Sequence, residues 1–241
     1  MTPLAGIGLI MAPTFRSRAY VQALAHAGYA PALCLAIPAD EEQPIGRRPA
    51  PFPLDGVDRP FQFEPDTTAR DFAEAAGWAV ESLPETDVNG AANIAALKAY
   101  DLDVLIYSGL PKVLLKPDIL ALRTRFLHVH GGYLPVYSGA TGFYFGLLVE
   151  GKLGNTAFWM DQGIDTGAVL DRAWYPADHD PDIDRILDPV TRADLLVRVL
   201  RHRATERTFG QAENLTTSEH FYVIHPVLKH LALRFTDDGG A

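Results

Sequence analysis

Four short apolar runs, at residues 7–11, 32–37, 102–108 and 126–130, alternate with stretches of helical spacing, and this alternation restricts the fold more than any other feature. A run that is apolar on both faces has to be covered by helices on both sides. That requirement selects a doubly wound, mostly parallel α/β sheet. Helices are predicted over 17–26, ending at Gly28, and over 68–77, capped by Asp66 or Thr67. Others are predicted over 91–100, 117–122, 141–150 and 191–205, with further strands near 156–161 and 169–174. Residues 38–65 carry seven prolines and read as a long surface excursion, either a lid or a plain loop. The tail at 221–228 mixes strand and helix signals. The expected organisation is a catalytic domain over 1–180 with a C-terminal helical extension over 181–241 packed on it.

Bulk properties narrow the function. With 241 residues, about half of them apolar, the chain can bury a core without disulfides. Its single cysteine, Cys34, sits in an apolar run with no base adjacent, which reads as a buried small hydrophobe. One cysteine suits a reducing compartment, no run of about 18 apolar residues exists, and no basic signal-peptide region opens the sequence, so a cytoplasmic location with no membrane partner is expected. A formal net charge of −9 argues against nucleic acid as a partner. For the assembly, a homodimer is allowed.

The densest chemistry lies in Phe126-Leu127-His128-Val129-His130-Gly131-Gly132-Tyr133-Leu134-Pro135, followed by Met160-Asp161-Gln162-Gly163-Ile164-Asp165-Thr166-Gly167. Side chains alternate along a strand, so His128 and His130 share a face at its C-terminal end. The glycines that follow let a ligand approach the backbone closely. If the two segments are neighbours, Asp165 can orient an imidazole and balance its charge, which makes an acid–base device. A His-x-His pair with a carboxylate can also hold zinc with an open position.

The stretch from His128 to Gly167 resembles the catalytic segment of the formyltransferase family, whose pattern is Asn-x-His, a Leu-Pro pair, a Gly, then Asp-x-Gly-x-Asp-Thr-Gly. Here these are Leu134-Pro135, Gly139 and the run from Asp161 to Gly167. The similarity extends more weakly over roughly residues 5–175. It implies 10-formyltetrahydrofolate as formyl donor, with His130 as the catalytic histidine and Asp165 as the catalytic aspartate. His128 stands where the family has an asparagine that donates to the oxyanion, and a misplaced donor there can cost about 10²-fold in rate. The resemblance accounts for these residues without a metal, and none is assigned. It places the donor against Tyr107, Gly109, Lys112, Val113 and Leu114 and against Gln162, Gly163 and Ile164.

The acceptor is expected to be a small-molecule amine. The family's tRNA-acting members carry a further C-terminal barrel for which 241 residues leave no room. Candidate acceptor-binding residues are Phe15 and Arg16 in the first loop, with Arg18 nearby, and Gly131, Gly132 and Tyr133. Hydrolysis of the donor, metal-dependent hydrolysis and a catalytically inactive metabolite-binding protein are the competing readings.

Overall fold

The seven strands of the central sheet run in the order β3-β2-β1-β4-β5-β6-β7, where β1 is Ile7–Met11, β2 Cys34–Ala36, β3 Val80–Ser82, β4 Val104–Ser108, β5 Arg125–His130, β6 Lys152–Trp159 and β7 Val169–Pro176. The structure is a computed structural model and describes residues 1–177, 180–215 and 220–237, with side chains up to 234. β1 to β5 are mutually parallel, β6 runs antiparallel to β5, and β7, antiparallel to β6, runs in the direction of the first five. The expected mostly parallel α/β sheet is what the chain forms. The strand order reverses between β1 and β4, where Ile7 lies against Val104 and Met11 against Ser108. In such sheets, ligands bind beyond the carboxyl ends of the strands at that reversal.

Alternation along the strands sorts the side chains into two layers. Leu9, Met11, Val104, Ile106, Leu127 and Val129 point into one core. Ile10, Leu105, Tyr107 and Phe126 point into the other. The first layer is closed by α1 (Phe15–His26), α2 (Ala69–Ala75) and the long α6 (Asp188–Glu206). The second is closed by α3 (Ala91–Ala99) and the single turn α4 (Pro117–Leu120), through Leu97 and Ile119. Helix α5 (Gly142–Glu150) lies on β6, and α7 (Pro226–Asp237) lies on α5. Helix α6 buries Leu195, Leu196, Val199 and Leu200, each worth about 1.5–3 kcal/mol of transfer free energy. It packs along α1 and shares the core with it.

Helix α1 starts where Thr14, in extended backbone, accepts a hydrogen bond from the Ser17 amide. Ser17 then ties α1 to β4, its hydroxyl 2.7 Å from the Ser108 hydroxyl. Some elements depart from the sequence reading. β3 is a half-exposed edge strand too short and polar to show a period, and residues 226–237 form α7 where the signals were mixed. The proline-rich excursion is packed rather than hinged. Phe52, Leu54, Phe61 and Phe63 sit in the main core, and Phe52 pairs with Phe61 in an isolated bridge. The buried Arg18 guanidinium donates to the Pro65 carbonyl at 2.7 Å, to the Glu42 carbonyl at 2.6 Å and to Glu41 at 2.8 Å. Arg18 is therefore a staple for this segment and does not face the strand ends.

The expected boundary at residue 180 follows directly on 178–179, which lie outside the described residues. Among the described residues, no helix is long and apolar enough to cross a membrane.

Candidate active site

A cavity of about 510 Å³ opens at the carboxyl ends of β4 and β5. Of the residues singled out above, Arg16, Tyr107, Lys112, Val113, Leu114, His128, His130, Ile164 and Asp165 line it. The others stand outside the lining and do supporting work. Phe15 is buried in the main core. The Gly109 carbonyl accepts a hydrogen bond from Arg16. Gln162 and Gly163 are exposed in the turn closed by Asp161, whose carboxylate accepts from the Gly163 amide at 3.0 Å and from the Thr166 hydroxyl at 2.7 Å. Tyr133 stacks flat on Trp174, ring centroids 4.6 Å apart. Gly131 and Gly132 let the chain pass close to its neighbours. A Cβ at 131 would meet the Arg192 guanidinium, and one at 132 would meet the Tyr137 carbonyl and the His130 ring.

His130 is held from both sides. Its Nε2 lies 3.0 Å from the Tyr137 carbonyl, to which it can only donate. Its Nδ1 is 3.5 Å from the Asp165 carboxylate. Asp165 takes a left-handed backbone with φ of 55°, uncommon for a residue with a side chain, and its Oδ2 accepts from the Gly139 amide at 2.7 Å. The two segments that the sequence suggested as neighbours are thus joined through this carboxylate.

His128 lies beside them on β5. Its Nδ1 is 2.9 Å from the Tyr107 carbonyl, and its ring meets Phe158 edge-on, centroids 5.8 Å apart. Desolvation first, and then the charge of Arg16, hold its pKa well below the usual 6.5, against the pull of the bond to Tyr107. A neutral imidazole whose Nδ1–H is spent on a carbonyl offers a lone pair at Nε2. The oxyanion-donor role expected for His128 would need a hydrogen at Nε2, which the neutral ring in this arrangement does not carry.

Two arginines bring positive charge to the cavity. Arg16 donates through Nε to the Ser108 hydroxyl at 3.1 Å and makes no ion pair among the described residues. Burial and then repulsion from Arg192 lower its pKa. Arg192, on α6, reaches the Val129 carbonyl at 3.1 Å and pairs with Asp188 one turn before it at 2.8 Å. Burial opposes its charge, and the Asp188 carboxylate more than restores it. The sequence reading missed Arg192, although an Asp–Arg pair four apart inside an apolar helical stretch was a usable signal. It also missed the wall formed by His220, Phe221, Tyr222 and Val223. There His220–Phe221 pairs in parallel with Ser138–Gly139. Only a density of aromatic residues marked that wall.

The apolar side of the cavity consists of Leu110, Val113, Leu114, Met160 and Ile164, with Leu114 and Ile164 largely exposed at its rim. Such a surface fits a flat heterocycle better than water. Among the described residues, no group of three or more His, Cys, Asp or Glu is placed to hold a metal ion.

Known proteins resemble this chain in sequence and fold. Residues 64–200 match the family model described as formyl transferase. The methionyl-tRNA formyltransferase of Novosphingobium aromaticivorans is 31% identical over 150 residues, which cover 61% of this chain and 49% of the relative. The chain thus spans about half the length of that relative, and less of others. Among solved structures, glycinamide ribonucleotide transformylase 1 from Symbiobacterium toebii superposes with a TM-score of 0.58 at 18% identity, covering 89% of this chain and 94% of that one. The N-formyltransferase from Helicobacter canadensis, in complex with folinic acid and dTDP-3-aminofucose, gives 0.57 at 15% identity, covering 96% and 80%. The structural likenesses speak for the fold, while the family model matches more than half of the sequence, including the segments that carry His128, His130 and Asp165. This chain belongs to the formyltransferase family.

Proposed function

We propose that this protein transfers the formyl group of 10-formyltetrahydrofolate to the amine of a small molecule, with His128, His130 and Asp165 as its reaction centre. The observation that carries this reading is the convergence of those three residues beneath an apolar-walled cavity, inside the segment matched by the family model. The donor supplies an activated formyl carbon. Its flat ring is assigned to the wall of Tyr107, Lys112, Val113, Leu114 and Ile164, beside the turn that carries Gln162 and Gly163 and near Gly109. The acceptor is assigned to the side of Arg16, near Phe15 and the loop of Gly131, Gly132 and Tyr133. His130 and Asp165 form the imidazole–carboxylate pair of the centre, held by the Tyr137 carbonyl and the Gly139 amide. A net charge of −9 over these residues disfavours a tRNA acceptor and supports a small one.

Acceptor-dependent release of tetrahydrofolate from the donor, together with calorimetric binding of folinic acid, tests the reading. His130→Ala and Asp165→Asn are each expected to keep binding and to lose turnover by about 10²–10⁴-fold. Wild-type rates in either variant would overturn the residue assignment. Formate release that needs no amine would replace transfer by hydrolysis.

A further inference from the structure

Formyl transfer to an amine moves one proton from the attacking nitrogen to the nitrogen that departs. Three side chains in the centre could carry it, and their hydrogen bonds separate them. Both nitrogens of His130 face the protein, Nε2 at the Tyr137 carbonyl and Nδ1 at Asp165. The near Asp165 oxygen already accepts from the Gly139 amide. His128 differs. Its Nδ1 must carry the hydrogen, because its partner is a backbone carbonyl, and its Nε2 has no hydrogen-bond partner among the described residues while the ring lines the cavity.

We propose that His128 is the proton carrier of the reaction, its Nε2 taking the proton of the attacking amine and passing it to the departing nitrogen. This rests on the formyl-transfer reading and assigns its central step to a different imidazole. The amine nitrogen bonds to the formyl carbon, and the amine proton passes to Nε2 of His128. The bond from that carbon to N10 of the donor then breaks, leaving its electron pair on N10, which takes the proton from Nε2. His128 ends neutral, as it began. The negative charge passing through the formyl oxygen meets the Arg16 guanidinium, the charged group that most strongly affects His128. A His128 carrying both protons would put a cation beside Arg16 and Arg192 in a desolvated site, a cost that keeps the resting ring neutral.

The charged and titratable groups around the ring and the cavity it lines are Arg16 from α1, Tyr107 from β4, His130 from β5, Arg192 from α6, Lys112 and Asp165 across the cavity, and His220 and Tyr222 on the wall of residues 220–223. A neutral base is present above its pKa, so kcat/KM should fall as the pH falls through an inflection below 6.5. A protonated donor would give the opposite slope. The acceptor's own amine titrates identically with every variant. The inflection that belongs to His128 is therefore the one that disappears in His128→Asn and in His128→Gln.

The test combines the pH dependence of kcat/KM for wild type and both variants with long-range nitrogen–proton NMR of His128 in the wild-type protein. The expected results are an acidic inflection below 6.5 in wild type alone, beside the amine inflection common to all three proteins, and kcat reduced about 10²–10⁴-fold in the variants. Folinic acid binding should be retained, and His128 should be protonated at Nδ1 and bare at Nε2 near neutral pH. Activity that rises toward acid, an inflection below 6.5 that persists in His128→Asn, or a protonated Nε2 would overturn the proposal while leaving formyl transfer standing. A wild-type protein that neither binds folinic acid nor releases tetrahydrofolate overturns the formyl-transfer reading, and this role with it.

Discussion

One substituted side chain changes what the reaction centre can offer. An amide at position 128 would present a donor and an acceptor together, whereas the imidazole there, anchored at 2.9 Å to the Tyr107 carbonyl, presents a lone pair. The motif made the substitution legible, but only the neighbouring strand's carbonyl reveals its polarity, because a sequence does not say which ring nitrogen is engaged. Cys34 is the opposite case, where composition and neighbours were enough. It is fully buried in β2, and burial pushes its thiol up to about 12. At pH 8 only about one thiol in 10⁴ would then be ionised, even before access is counted. Native protein should stay unlabelled by an aromatic disulfide reagent for as long as it is folded, and one thiol should appear on adding denaturant. Labelling of native protein within minutes would contradict the burial.

Among the elements, the proline-rich excursion shows what chain grammar alone leaves undecided. Its prolines announce the absence of helix and strand, and they are silent on whether the segment covers the site or the core. The aromatic residues between them decide it, since Phe52, Phe61 and Phe63 are buried and residues 38–65 contribute nothing to the cavity lining. Arg18→Met removes the hydrogen bonds to Pro65, Glu42 and Glu41. It should lower stability by about 3 kcal/mol, because the buried Pro65 carbonyl and the partly buried Glu42 carbonyl lose their donor. Urea unfolding reads that loss, and the Michaelis constants should stay near wild type. A raised Michaelis constant at unchanged stability would restore a covering role. Strands β1, β4 and β5 were readable because both their faces are buried. β3 and the pairing of residues 220–221 were not, because short or exposed pairings leave no periodic trace. Likewise, His128, His130 and Asp165 stood out by motif. Arg192 and the wall of residues 220–223 reach the cavity only through tertiary packing, to which sequence spacing is blind.

Across the whole molecule, the cavity gathers Arg16, Tyr107, His128, Asp165, Arg192 and Tyr222, residues drawn from most of the described length. No short segment can build it. The middle of the sheet makes the same demand, because β1 lies between β2 and β4, with Ile7 against Val104 and Leu9 against Ile106. Pairing strands nearly a hundred residues apart costs loop entropy before any contact repays it. Loss of folinic acid binding and loss of tryptophan signal should therefore share one denaturant midpoint. Binding that disappears well before the tryptophan signal would show a site able to melt alone. The β1–β4 pairing also sets a clock. Until the fourth strand arrives, the first has one neighbour and an open edge, so refolding should be slow, on the order of milliseconds to seconds. In that interval, partly assembled chains offer that edge to one another. Yield on refolding should fall as protein concentration rises, even though the finished sheet hides β1 completely.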